Sequence, residues 1–220
     1  MNTLSFLSRP YPAKVLMGLA AFLLLLVSYP AHVMADYKKP LQPVRYVDSN
    51  RYAGRWYEIA LIPYFFEKSC AKNSIVEYTR LADGSYKDYF ECEKDNGKKR
   101  IFEGRAKILD TQSNAIWSST FLKVFGWRYW FGSNYWIIGL GDNSNFLTRR
   151  ISMEPYTYTI VGMPSRRYAW IMARKPELSK AELKEAIKTL TDQGFDACKL
   201  EMIPHDGTDT KVVSLCQAVL

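Results

Sequence analysis

Histidine is almost missing from this chain, with only His32 and His205 among 220 residues. Imidazole is the side chain most used to move protons near neutral pH and the commonest metal ligand. No Cys or His spacing suits a metal, and Ser, His and Asp do not fall in a triad order, so metal-assisted and triad hydrolysis find no support. Long apolar runs are missing too. Val15 to Val27 is uncharged and mostly apolar but spans 13 residues, where a membrane-crossing helix needs about 20. No cysteine follows that run, which speaks against a lipid-modified cysteine at a processed N-terminus. Extended basic runs are lacking as well. Lys98-Lys99-Arg100, Arg149-Arg150 and Arg166-Arg167 are short clusters beside expected turns, so the net charge of +8 does not read as a nucleic-acid arm.

Residues 1–35 have the make-up of a secretory leader. Arg9 and Lys14 form a positive flank, the Val15–Val27 run follows, and Val33-Met34-Ala35 resembles a small-x-Ala cleavage site with the cut before Asp36. An uncleaved anchor is the competing reading. The leader holds those two basic residues and no acid, so its removal takes the charge from +8 to +6. Residues 36–49 contain Pro40 and Pro43 and read as an extended lead-in to a folded region over 50–203, with a tail over 204–220.

Aromatic residues make up 15% of the chain, which favours strands. Strands are expected at Trp56–Ile62, Ser74–Leu81, Ser85–Glu91, Arg100–Leu109, Ala115–Val124, Asn134–Leu140, Tyr156–Val161 and Tyr168–Ala173. Asp83-Gly84 marks a hairpin between the second and third. In the fourth, Phe102, Gly104 and Ala106 alternate with Glu103, Arg105 and Lys107, so one face must leave room. Eight short strands at regular spacing point to an up-and-down antiparallel barrel or a sandwich. One helix interrupts the pattern, over 179–193. Ser179 and Glu182 form a capping box, Leu183, Ala186, Ile187 and Leu190 make one apolar stripe, and Gly194 is a stop. Lys199–Ile203 reads as a short ninth strand.

Arg51-Tyr52-Ala53-Gly54-Arg55-Trp56-Tyr57-Glu58-Ile59-Ala60 opens the strand series. It resembles the first conserved region of the lipocalin family, in its bacterial and apolipoprotein D-like branch. Asn134-Tyr135-Trp136-Ile137-Ile138 and Tyr168-Ala169-Trp170-Ile171-Met172-Ala173-Arg174 resemble two later regions, and Gly194-Phe195-Asp196 fits after the helix. The resemblance covers about residues 46–203. It implies a mainly β fold: an eight-stranded up-and-down barrel, one C-terminal helix packed outside, and a short ninth strand. It also implies that Trp56, after the bend at Gly54, plugs one end of the barrel with Arg174 across it, as structural residues that do not touch ligand. Two departures are plain. The connection from Gly141 to Pro155 and the tail beyond 204 are longer than the family pattern.

An eight-stranded barrel is just wide enough for one small ligand. If Arg174 points inward, strand parity brings Met172 and Trp170 with it. The resemblance places Tyr78 in the cavity, parity adds Val76, and Phe90 follows on the third strand. Trp136 and Tyr158 complete the expected ligand set, although each ring could equally be ordinary core. Such a lining suits an acyl chain with its polar head at the mouth, and the positive surface would favour an anionic or zwitterionic head. No metal and no cofactor is called for. Four cysteines in an exported chain imply two bridges with three possible connectivities. Cys70 and Cys92 flank the Asp83-Gly84 hairpin and Cys198 and Cys216 flank Gly207, which favours those two pairs. Likeness to apolipoprotein D implies Cys70–Cys216 instead.

The expected function is therefore carriage of a fatty acid, lysophospholipid or similar lipid in an exported compartment, periplasmic or at the outer membrane in a bacterium, in membrane lipid maintenance. Two other readings compete. A lipocalin-fold enzyme, isomerase-like, would need a free thiol such as Cys70. A membrane-surface protein would use the aromatic and arginine-bearing loop from Phe125 to Phe131. Composition leaves the oligomeric state open.

Overall fold

The computed structural model describes residues 39–121, 123–124, 128–129, 132–142 and 154–220. The leader expected at 1–35, the departure between Gly141 and Pro155, and most of the loop at 125–131 lie outside them.

After a one-turn helix α1 (Ser49–Tyr52), eight strands make a closed antiparallel barrel. They are β1 (Gly54–Leu61), β2 (Lys72–Arg80), β3 (Tyr86–Glu93), β4 (Lys99–Ile108), β5 (Ile116–Thr120), β8 (Ser133–Gly141), β9 (Tyr158–Gly162) and β10 (Ala169–Ala173). Each pairs with the next, and β10 returns to pair with β1, Tyr57 opposite Ala173. No strand edge of the barrel wall is left open. A two-residue hairpin, β6 (Lys123–Val124) with β7 (Arg128–Tyr129), lies between β5 and β8. The fifth strand stops at Thr120, short of the expected Val124, and the next residue, Phe121, sets its ring against Phe66 and Phe102.

Side-chain alternation is strict in β3, where Tyr86, Asp88, Phe90 and Cys92 are buried and their neighbours half-buried. In β9 every residue is buried, because that strand has a second cover. The cover is α2 (Lys180–Asp192), which begins with the Ser179–Glu182 capping box and sets Leu183, Ala186 and Leu190 against the wall. These side chains join Ile59, Ile138, Tyr158, Ile160 and Ile171 in an outer core, each large aliphatic contributing about 1.5–3 kcal/mol by burial. Strand β11 (Glu201–Met202) pairs with β1 outside the barrel, and a last short helix α3 (Leu215–Ala218) follows. Two disulfides are formed, Cys70–Cys92 and Cys198–Cys216. The first ties the segment after β1 to the end of β3, and the second ties the turn after α2 to α3. The apolipoprotein D-like alternative, Cys70–Cys216, is not the arrangement here.

The register shifts three times, once between Lys72 and Ile75 at the start of β2 and twice on strands that bear on the site. Between Glu58 and Ala60 on β1, and between Ile137 and Gly139 on β8, one strand gains a residue on its partner. Each bulge exchanges the inner and outer faces for everything beyond it, which decides the composition of the cavity wall.

Candidate functional site: the barrel interior

One end of the barrel is packed solid. Trp56 is fully buried and donates its indole N–H to Tyr52 O at 2.9 Å. Tyr52 packs on it with ring centroids 5.1 Å apart, Trp117 packs on Tyr52 at 5.4 Å, and Tyr86 on Trp117 at 4.7 Å. Arg174 lies over the indole with its Cζ 3.6 Å from the ring centroid, a cation–π contact contributing on the order of 0.5–2 kcal/mol. Its guanidinium donates to the carbonyl oxygens of Arg51, Tyr52, Ala53, Arg55 and Tyr156. The bare carbonyls at the end of α1 are thereby capped by a charge. Gly54 has φ +91°, which a residue with a Cβ rarely adopts, and it makes the bend that lays α1 across the barrel floor.

Above that floor is a cavity of about 500 Å³, within the range of small-molecule sites. Its wall includes Val76, Tyr78, Phe90, Trp170 and Met172. A segment between β1 and β2 covers the mouth. Phe66 packs on Phe90, Phe102 and Phe121 with centroids 5.4–5.6 Å away. Tyr64 stands edge-on to Tyr168 at 4.5 Å. Phe65, beside them, is 71% exposed. Gly104 on β4 is required by close approach, since a Cβ there would come within 2.5 Å of Thr120 O and 2.7 Å of the Phe121 ring.

Trp136 and Tyr158 require correction. Neither lines the cavity: both belong to the outer core beneath α2, and Tyr158 hydrogen-bonds Glu185 on that helix. Tyr158 sits opposite Ala173, an outer residue, while Thr159 sits opposite the inner Met172. On β8 the inner residues are Tyr135 and Ile137, with Trp136 between them turned outward. The register that fixes this comes from how β8, β9 and β10 pair and has no signature in residue type. Val161 of β9 and Tyr135 of β8 line the cavity in their place.

Three acids also line it: Glu58, Glu67 and Asp88, at 1%, 4% and 2% exposure. Sequence reasoning missed them. Parity was the available signal, since Glu58 is two residues beyond Trp56 and Asp88 two before Phe90. Glu67 comes from the covering segment, where its carboxylate accepts from Tyr64 N–H at 2.6 Å and from the Trp170 indole at 2.8 Å. Burial pushes the Glu67 and Asp88 carboxyls up to about 7, with the Trp170 and Ser119 hydrogen bonds opposing the rise. Glu58 is pushed well above the usual carboxylate range, first by burial and then by the charge of Glu67. A chain of hydroxyls runs beside them, Ser119 Oγ donating to Tyr135 and Tyr135 to Tyr78, each at 3.2 Å. Arg100 is a cation on the lining, with its Cζ 4.8 Å from the Phe102 ring centroid and one Nη donating to Ser69.

Among the described residues, no group of three His, Cys, Asp or Glu side chains is placed to hold a metal ion. His205 is buried outside the barrel, its Nε2 2.8 Å from Glu58 O and its ring edge-on to Tyr57. Burial holds that imidazole below its usual value. Cys70, the thiol on which an enzymatic reading would depend, is bonded to Cys92.

Comparison with known proteins agrees with this architecture. A family model described as a lipocalin-like domain matches residues 47–205. Temperature-induced lipocalin-1 of Arabidopsis thaliana is 27% identical over 177 residues, covering 78% of this chain and 86% of the plant protein. The outer membrane lipoprotein Blc of Escherichia coli K12 is 28% identical over 193 residues, covering 86% of this chain and 94% of its own length. Among solved structures, apocrustacyanin C2 aligns with a TM-score of 0.53 at 13% identity, over 73% of this chain and 81% of that one. At that identity the likeness concerns fold alone.

Proposed function

This chain belongs to the lipocalin family, and from that premise we propose that it is an exported carrier, not an enzyme, holding one small hydrophobic lipid such as a fatty acid or lysophospholipid inside the barrel. The observation that carries the reading is the cavity of about 500 Å³ with its largely apolar wall, closed below by Trp56 and Arg174. Burial of an acyl chain there would contribute about 25 cal/mol per Å² of apolar surface before the costs of ordering. Export is supported by the two disulfides, which suit an oxidising compartment, and by the leader-like residues 1–35. The exposed Phe65 ring at the mouth favours exchange of the lipid at a membrane surface.

Native mass spectrometry tests the proposal. Protein purified from its own host and sprayed intact should carry one lipid mass per chain. Delipidated protein should regain one acyl-chain ligand, and Met172→Trp, which fills the cavity, should lose it. Absence of any lipid together with no saturable uptake would overturn the reading.

A further inference from the structure

Building on that carrier reading, we propose that the interior of the barrel is a cation subsite, and that its preferred guest is a hydrocarbon amphiphile bearing a protonated amine. The inference begins with unmet valence. Glu58 Oε2 and Asp88 Oδ1 are buried, lie on residues that line the cavity, and have no hydrogen-bond partner among the described residues. Proteins seldom leave buried acceptors without a partner, because each stranded group forfeits its desolvation cost. Here the two acceptors, with Glu67 nearby, border an empty volume that a ligand can enter.

The surroundings decide the sign of the charge. Glu58 comes from β1, Glu67 from the covering segment and Asp88 from β3. The phenols that share the space, Tyr78 and Tyr135, are both pushed up by burial, so they face the carboxyls as neutral groups. Among the described residues Arg100 is the cation on this lining; its Nη1 donates to Ser69 and its guanidinium stacks on Phe102, while its buried Nε has no partner, so one open donor stands against the two open carboxyl oxygens. Above the range in which Asp88 ionises, a ligand carboxylate beside it would add a like charge to a low-dielectric site. An ammonium would meet two open acceptors and charge-assisted hydrogen bonds. A neutral alcohol would gain hydrogen bonds without the charge.

Ionisation follows from the same geometry. Burial raises all three carboxyls above the ordinary carboxylate range, Glu67 and Asp88 to about 7, and the charge of Glu67 raises Glu58 further. An entering ammonium would ionise a carboxyl and pair with it, releasing its proton to solvent. Amine affinity should therefore rise with pH across the range in which Glu67 and Asp88 titrate, near 7.

Dodecylamine, dodecanol and dodecanoate share one hydrocarbon body and differ in charge, so isothermal titration with the disulfide-bonded protein compares them directly. At about pH 8, the amine should bind roughly tenfold or more tighter than the alcohol, and the alcohol tighter than the carboxylate. The advantage of amine over alcohol should shrink at about pH 6. Asp88→Asn combined with Glu58→Gln should abolish that advantage, and cooperative urea unfolding of the variant shows that it is folded. Equal binding of amine and alcohol, or an advantage that survives both substitutions, would overturn the cation subsite and leave the carrier reading standing. Failure of all three compounds to bind would remove both.

Discussion

The floor and the chamber of this barrel are built on the same strands and obey opposite rules. At the floor, a half-buried charge is surrounded: the Arg174 guanidinium meets five carbonyl oxygens and the face of Trp56. In the chamber, a few residues along those strands, carboxyls are buried and left open, with Glu58 Oε2 and Asp88 Oδ1 unpartnered among the described residues. Buried polar groups stabilise a fold when their hydrogen bonds are complete and burden it when they are not. The contrast separates the part of the barrel that maintains the fold from the part that awaits a guest.

The sharpest break of that comparison is Trp56→Ala. It removes a fully buried ring and strips Arg174 of its stacking surface, so a loss of about 3–5 kcal/mol in denaturant unfolding is expected. A loss below about 1 kcal/mol would mean that the floor is not the stabilising half.

A smaller effect, of opposite character, is expected from Asp88→Asn. Carboxyls unfold to values near 4, whereas Glu67 and Asp88 are held at about 7 in the folded chain. The folded state therefore binds more protons between those values, and its stability falls as pH rises through that window. The variant removes Asp88's share of the decline. Urea unfolding at about pH 5 and pH 8 should show a fall for the parent chain that exceeds the variant's by on the order of 1–3 kcal/mol. Parallel behaviour of the two proteins would remove the chamber's burden from the comparison.

The smallest effect is expected outside both regions. Tyr158→Phe loses a hydrogen bond to Glu185 beneath α2 and should cost about 1 kcal/mol or less, with acyl-ligand affinity unchanged. A measurable drop in affinity would return Tyr158 to the cavity wall.

The floor was legible through the lipocalin resemblance, which assigned Trp56 after Gly54 and Arg174 at the end of the last strand to it; the glycine two before a tryptophan is by itself a short and common pattern. The helix was legible without it, since Ser179 and Glu182 cap it locally and its stripe needs no partner to be recognised. The chamber was half legible. Val76, Tyr78, Phe90, Trp170 and Met172 sit on strands whose parity can be counted from a known inward residue. Trp136 and Tyr158 could not be placed by counting, because the bulge between Ile137 and Gly139 and the register of β9 against β10 follow from backbone pairing. Glu58 and Asp88 carry inward parity as well, but a charged residue at an inward position runs against the ordinary rule of burial. The signal was present and chemistry argued against reading it.

The Cys70–Cys92 bridge anchors the aromatic cover to the rim of β3, while the ladders of the wall run independently of it. Cutting that sulfur link would unlatch the doorway and leave the vessel standing.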